Sequence, residues 1–417
     1  MQCTSAAVAP TMASHAAVPL AVSPRSLAAA FARVPDPRRA ASITYALSAV
    51  LTLTVAAILS NHRSVLAIAE WGARQPPELL RTLGFPDGRS PCQSTLHRVF
   101  GKLNGHALAA ALSAHFAPAA IPVPPAGADD LQGVAVDGKA QRGRLPFQDG
   151  GCPVHALTAF CHEHGIVLAQ EPIEQGSEKS EAELTVAPAL LARVAWPGRV
   201  LTGDALFCQR HLCQQVRAAG GDYLLLVKEN QPTLYDDIRL LFDPPAGSKP
   251  LPLLDRREVQ TRERGHGRQD EVRHLVASTD LTDYLDWPGV AQVFRLERTW
   301  RERGATKQAL HYGITSLQHG ITSLQPAVGP PERLLALKRG HWAIENGLHR
   351  VKDVCLGEDQ SLIHRGQGPT VMALLRDAAV SLLRRAGVRQ ISARLRYHSQ
   401  HPSAAVALLV APPPTHA

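Results

Sequence analysis

Regular cysteine spacing is what this 417-residue sequence most plainly lacks. Its seven cysteines, at 3, 92, 152, 161, 208, 213 and 355, are an odd number with no repeated interval, which argues against a disulfide framework and for reduced thiols in a cytoplasm. Two looser groups, Cys161 with His162 and His164, and Cys208 with His211 and Cys213, miss the paired spacing of a structural zinc site. The charged start of a secretory leader is missing as well. Residues 1–30 are rich in Ala, Ser, Pro and Val, but the first basic residue is Arg25, so the expected state there is disorder. One stretch invites a membrane test, because residues 43–59 run 17 residues without a charge, close to the roughly 20 that span a bilayer. It carries Thr44, Ser48, Thr52 and Thr54 and is predicted to be a buried helix of a small domain, with no membrane partner.

What is present is length and positive charge. The chain is too long for one compact core, so a central domain with an appended domain and an insertion is expected. With 44 Lys and Arg against 36 Asp and Glu, the formal charge is +8, which suits a polyanionic partner.

Helical patterns fill the first section: 43–59, then Ser64 to Gly72, Ser94 to Leu103 and Gly105 to Phe116. The stretch APAAIPVPPAG at 117–127 cannot continue a helix and marks a boundary. Short apolar runs then read as strands: Gly133 to Asp137, His155 to Phe160, Ile166 to Gln170, Val200 to Asp204 and Asp222 to Lys228. Helical patterns at Glu181 to Val194 and His211 to Ala218 separate the last three. The first three strands are close enough to pair antiparallel, whereas helical crossovers imply parallel pairing afterwards. Residues 256–317 alternate charged and β-prone residues and read as long hairpins forming an insertion; GITSLQ occurs twice nearby, at 313–318 and 320–325, a local duplication. Helices return from Glu332 to Cys355 and Thr370 to Ala386, and the end beyond Pro402 is expected to fray. The segments so defined are 1–30, 31–116, 128–243, 244–325 and 326–400.

Three carboxylates stand out. In GVAVDGKAQRGR an apolar strand ends on Asp137, with Gly138 allowing a tight exit before Lys139, Arg142 and Arg144. The same arrangement recurs in RVLTGDALF at Asp204. In KRGHWAIENGLHRVKD, helical spacing puts His341, Glu345, His349 and Lys352 on one stripe, beside an apolar stripe of Ile344, Leu348, Val351 and Cys355. Either aspartate alone reads equally well as a turn residue, and Glu345 alone as a solvated carboxylate paired with His349. Together they make chemical sense with cations between them, because packed carboxylates repel, and hard divalent ions prefer such oxygen ligands.

These residues resemble the DDE transposases of bacterial insertion sequences, in the branch that includes the H-repeat-associated proteins. The carriers, in order from Asp36 to Leu409, are DPRR (36–39), AVDGK (135–139), TGDAL (202–206), LLVKENQPTL (225–234), RGHGR (264–268), YGITSL (312–317), RGHWAIENGLHRVKDV (339–354) and GEDQS (357–361). Glu345 and Lys352, with six residues between, match the family's signature around its glutamate; Phe207, Arg350 and Leu356 depart from its usual pattern. The resemblance implies an α/β chain with a ribonuclease-H-like mixed five-stranded sheet, flanking helices, a β-rich insertion and a helical N-terminal domain. It implies that Asp137, Asp204 and Glu345 are the catalytic, metal-binding triad, with Mg2+ or Mn2+ as cofactor. The expected reaction is DNA strand cleavage and transfer on transposon ends and target, by a cytoplasmic, nucleoid-associated protein that assembles as a homo-oligomer on DNA. Two other readings stand beside it: a catalytically silent relative that only binds DNA, and a nuclease that cuts without joining.

Candidate DNA-binding residues are Lys139, Arg142, Lys228, Asn230, His266, Arg268, His341 and Lys352. Lys228 and Asn230 follow a strand and serve either phosphate contact or a helix cap. His266, between Arg264 and Arg268, sits at a hairpin tip that reaches DNA or is merely polar. From Arg365 to Arg396 there are seven arginines and one acid, Asp377, an excess that favours phosphate contact. The helix beginning at Ser94, with Thr95, His97 and Arg98, is either a recognition helix or part of a structural bundle.

Overall fold

Six helices precede the sheet among the described residues: α1 (Leu27–Phe31), α2 (Leu47–Leu59), α3 (Val65–Ala73), α4 (Pro77–Thr82), α5 (Gln93–Lys102) and α6 (Gly105–Phe116). The uncharged run becomes α2, buried along nearly its whole length. Its polar residues satisfy themselves: the Thr52 and Thr54 hydroxyls donate to the carbonyls of Ser48 and Val50, at 2.7 and 2.8 Å. Among the described residues no helix is long and apolar enough to cross a membrane. α1 begins inside the stretch expected to be disordered, because Leu27, Ala30 and Phe31 bury an apolar face and Ser26 caps the helix.

The computed structural model describes residues 22–116, 131–140, 155–173, 179–247, 253–265, 268–302, 304–318 and 329–412. The proline-rich break at 117–127, Arg142, His266 and the second GITSLQ lie outside them.

Five strands carry the first part of the sheet: β1 (Gln132–Ala140), β2 (His155–Cys161), β3 (Ile166–Ile173), β4 (Arg199–Gly203) and β5 (Asp222–Val227). β1 pairs antiparallel with β2 and β2 with β3, whereas β1 with β4 and β4 with β5 are parallel. The crossovers are α7 (Lys179–Leu191) and α8 (Arg210–Ala218); α9 (Pro232–Phe242) follows β5. This is the mixed five-stranded sheet with flanking helices that the sequence predicts. The charged, β-prone stretch forms β6 (Arg257–Gly265), β7 (Arg268–Ser278), β8 (Gln292–Glu302) and β9 (Ala305–Thr315). It does not stand apart as isolated hairpins. β9 pairs antiparallel with β5, so the order among the described strands is β3-β2-β1-β4-β5-β9-β8-β7-β6 in one sheet.

Helices return as α10 (Pro331–Gly340), a π turn (Glu345–His349), α11 (Arg350–Val354), α12 (Gly368–Arg385), α13 (Ile391–Gln400) and α14 (Pro402–Val410). The end beyond Pro402 is therefore a helix rather than a frayed tail: Pro402 occupies its first turn, and Ala405, Val406, Leu409 and Val410 are buried. α1–α6 and α12–α14 share one hydrophobic core, which also takes in Ala135 and Phe160 of the sheet and Ile344 and Leu348 beside Glu345. The opposite face of the sheet packs a second core with α7, α8 and α9.

Candidate active site

The positions of Asp137 and Asp204 follow from strand register. β1 and β4 run parallel with Gly133 opposite Val200 and Ala135 opposite Thr202. Two residues further on stand Asp137, inside β1, which runs on through Gly138 to Ala140 instead of ending there, and Asp204, just past the end of β4; alternation puts both on the face of Ala135 and Thr202. That face is covered by the glutamate segment. Ala135 lies in one core with Ile344 and Leu348, and Thr202 Oγ1 is 3.2 Å from His341 Nδ1.

The glutamate segment is not one continuous helix. Arg350 N–H reaches back to the carbonyl of Glu345, five residues earlier, closing a π turn that starts on Glu345 and ends on His349. Such turns occur mostly as single bulges and frequently at functional sites. An i→i+5 turn holds one more residue than an α turn, so the residues of α11 leave the stripe predicted from 3.6-residue periodicity.

One donor atom each from Asp137, Glu345 and His349 lie within 4.8 Å of one another. Glu345 is exposed, Asp137 half-buried and His349 buried. Asp204 stands beside this group rather than in it. It is exposed, and its Oδ1 accepts the Leu206 N–H at 3.0 Å, opening a short 3-10 turn, Ala205–Phe207. Burial first, then the charges of Glu183, Glu345 and Asp204, push the Asp137 carboxyl up to about 7. Glu183, a buried residue of α7, was not singled out in the sequence; its only signal there is the acidic start of the helix, EKSEAEL.

Behind the carboxylates lies a buried ionic network. Lys352 Nζ is 2.9 Å from Asp377 and 3.3 Å from Glu358, and Arg376 reaches Glu358 at 3.7 Å. Lys139, two residues past Asp137, binds Asp353 of α11 at 2.8 Å and approaches Glu358 at 3.9 Å. Gln170 of β3 donates to Asp377. Three cations and three carboxylates thus tie β1, β3, α11 and α12 together directly behind the Glu345 turn. A second, uncharged tie uses His162, whose Nε2 is 3.0 Å from Thr202 Oγ1. Its ring fills the space that a Cβ on Gly133 or Gly340 would occupy, at 2.1 and 2.4 Å from Nδ1, so both positions require glycine.

Several DNA-contact candidates are therefore spent inside the protein. Lys352 is 4% exposed and paired, and Lys139 is held by Asp353, so neither is free to meet a phosphate. His341 turns its Nδ1 to Thr202, and burial lowers its pKa to about 3. Asn230 donates to the carbonyl of Ala205 at 2.7 Å, so it braces the turn after Asp204 instead of capping α9. Lys228 is exposed at the end of β5, near Lys338, whose pKa burial lowers to about 8. Arg268 opens β7. The arginine excess is also partly internal. Arg376 belongs to the buried network, Arg385 Nη2 lies 2.8 Å from His115 Nε2, and Arg384 donates to the carbonyls of Val388 and Arg389. α5 buries Leu96, Val99 and Phe100 and exposes Ser94, His97 and Arg98. Among the described residues no cluster of three possible ligands includes Cys161 or Cys208.

Comparison with known proteins shows the family. A family model described as "Transposase DDE domain" matches residues 129–383, and one described as "DDE_Tnp_1-associated" matches residues 28–116. The chain is 27% identical over 362 residues to "Putative transposase YncI" of Escherichia coli O157:H7, covering 84% of this chain and 85% of that one. It is 26% identical over 366 residues to "H repeat-associated putative transposase YhhI" of Escherichia coli K12, covering 84% and 88%. A protein from the dhlA 3′ region of Xanthobacter autotrophicus is 32% identical over 271 residues, covering 64% and 86%. With a family model spanning well over half its length, the chain belongs to the DDE transposases, in the H-repeat-associated branch, an enzyme class that acts on DNA with divalent metal.

Proposed function

We propose that Asp137, Asp204 and Glu345 form the metal-binding triad of an active transposase that cuts transposon-end DNA and joins the freed 3′-hydroxyl to target DNA. The observation that carries this reading is convergence: donor atoms of Asp137 and Glu345, 208 positions apart, approach within 4.8 Å at the mouth of the parallel strands. The donor chemistry suits a hard divalent ion. Two clustered carboxylates with a third acid beside them repel one another; burial first, and then the charges of Glu183, Glu345 and Asp204, raise Asp137, and a cation offsets that repulsion.

Mg2+ is the proposed ion, with Mn2+ as its substitute. Held by Asp137, Asp204 and Glu345, such ions would supply Lewis acidity to the phosphate and to the attacking and leaving oxygens. The protein's own part is placement. β1 fixes Asp137, the end of β4 fixes Asp204, the Asn230 amide holds the turn after Asp204, and the buried lysine and carboxylate network holds Glu345 above them. Lys228 and Lys338 give a cationic rim next to Asp204 for the scissile phosphate's neighbours. Residues 31–116 serve as an end-binding domain in this reading, with the exposed face of α5 toward DNA, and the protein works as an oligomer that synapses two ends.

The test uses oligonucleotides carrying the DNA that flanks the gene. Wild-type protein with Mg2+ should yield both nicked ends and strand-transfer products, and Asp137→Asn, Asp204→Asn and Glu345→Gln should each bind the ends while producing neither. Full cleavage by any of the three variants removes that residue from the triad. Cleavage without joining by the wild type would make the chain a nuclease, and end binding without cleavage a silent relative.

A further inference from the structure

His349 is the one non-acidic member of the three-donor cluster, and its geometry is informative. Its Nδ1 lies 3.6 Å from Asp137 Oδ2. That is too long for a hydrogen bond, whose N···O distance falls at about 2.7–3.2 Å. It is close to the spacing of two ligands on one ion: donors each roughly 2.1 Å from a metal stand about 3.0–3.4 Å apart. The ring is only 7% exposed, so it does not face DNA. Glu345 and His349 are the two ends of the π turn, and both offer a donor atom to the space in front of Asp137. Asp204, by comparison, has one oxygen committed to the Leu206 N–H and lies outside the 4.8 Å cluster.

We infer that His349 is a direct ligand of the ion held by Asp137 and Glu345, so that one metal position of the site has two carboxylates and one imidazole nitrogen. The inference rests on the proposed metal site and deepens it. An imidazole ligand has a chemical consequence. Mg2+ prefers oxygen donors, whereas Mn2+ and Co2+ accept nitrogen readily and lie higher in affinity for mixed sites.

The ligand assignment is tested on the full-length protein without DNA, by pulsed electron paramagnetic resonance of added Mn2+. Wild-type protein should show the hyperfine coupling of a directly bound nitrogen, and incorporating 15N-histidine should change its pattern to that of 15N. His349→Asn should keep the fold, checked by circular dichroism, and should still bind Mn2+ through the carboxylates, with the histidine coupling gone and affinity at least about tenfold weaker. Its preference for Mn2+ over Mg2+ should fall too. Bound Mn2+ with no nitrogen coupling in the wild type overturns the inference and makes His349 a counter-charge for Asp137, while leaving the carboxylate site standing. No Mn2+ binding by wild-type protein overturns the inference and the metal-site reading together.

Discussion

The two halves of the nine-stranded sheet face different surroundings. In β1, β3, β4 and β5 almost every side chain is buried, because helices cover both faces. β9 runs from exposed residues at Ala305 to buried ones at Thr315, so burial fades as the ladder leaves β5. The charges differ in the same way. Near the Glu345 turn they are buried and mutually neutralising, as in Lys352 with Asp377 and Glu358. On the insertion they pair across the strand surface, as in Arg273 with Glu263 and Lys307 with Glu302. The contrast teaches where precision sits: groups that must keep a fixed separation are mounted where both faces are packed, and the projecting ladder carries exchangeable surface charge.

The sharpest break in that comparison is functional. Glu345→Gln should lower end cleavage about a thousandfold, the equivalent of the several kcal/mol a catalytic ion supplies. Arg301→Ala, at the outer end of β8, should leave the chemical step within severalfold in a single-turnover assay. Second is stability. Removing one partner of a buried pair strands the other charge, so Lys352→Met or Asp377→Leu should cost about 3–5 kcal/mol in urea melts, and the double variant should recover most of the loss. Equal effects of the single and double changes would show that the network is not an energetic unit.

Acidification should weaken the packed half. Burial is the first cause that lowers His115 and His341 to about 3 and His162 and His398 to about 4. Their folded pKa values lie below the unfolded value of roughly 6.5. The unfolded chain therefore binds more protons between about pH 6.5 and 4, and the stability present above 6.5 is lost as pH falls through that window. Melting temperature should drop between pH 7 and pH 5, and a flat profile would contradict the buried, neutral state of these rings. Next in size is Asn230→Ala, which frees the turn after Asp204 and should slow cleavage about tenfold with little change in melting. Smallest is Lys307→Ala, where the exposed pair with Glu302 is worth less than about 1 kcal/mol.

Much of the packed half was legible because its signals are local. Apolar runs leading into Asp-Gly and Gly-Asp marked both aspartates, although only Asp204 follows a strand end, since Gly138 carries the β1 ladder on to Ala140; the spacing of helical patterns foretold which strands run parallel. The structure also gives the motifs distinct duties. Glu358 of GEDQS is buried in the ionic network, and Asn230 of LLVKENQPTL braces Asp204. In YGITSL, Thr315 and Ser316 tie β9 to Tyr223 of β5. What the sequence hid depends on partners far along the chain. An arginine-rich stretch looks like a phosphate surface until Glu358 and His115 are known to meet it. The π turn displaced Lys352 from its predicted stripe, and its only trace is the helix-weak Asn346 and Gly347 inside an otherwise continuous pattern. The helix at 402–410 was the more avoidable miss, since Pro at its start and an apolar face after it are ordinary helix signals.

Whether three distant stretches meet around metal can be read from the protein's own backbone. Fe2+ substituted for Mg2+, with ascorbate and peroxide, cuts the chain next to where the ion sits, and the fragments can be mapped by mass. Cuts are expected near 135–139, 202–206 and 341–349 together, suppressed by excess Mg2+ and absent in Asp137→Asn. Cleavage confined to one of these stretches, or centred elsewhere, would contradict the shared site.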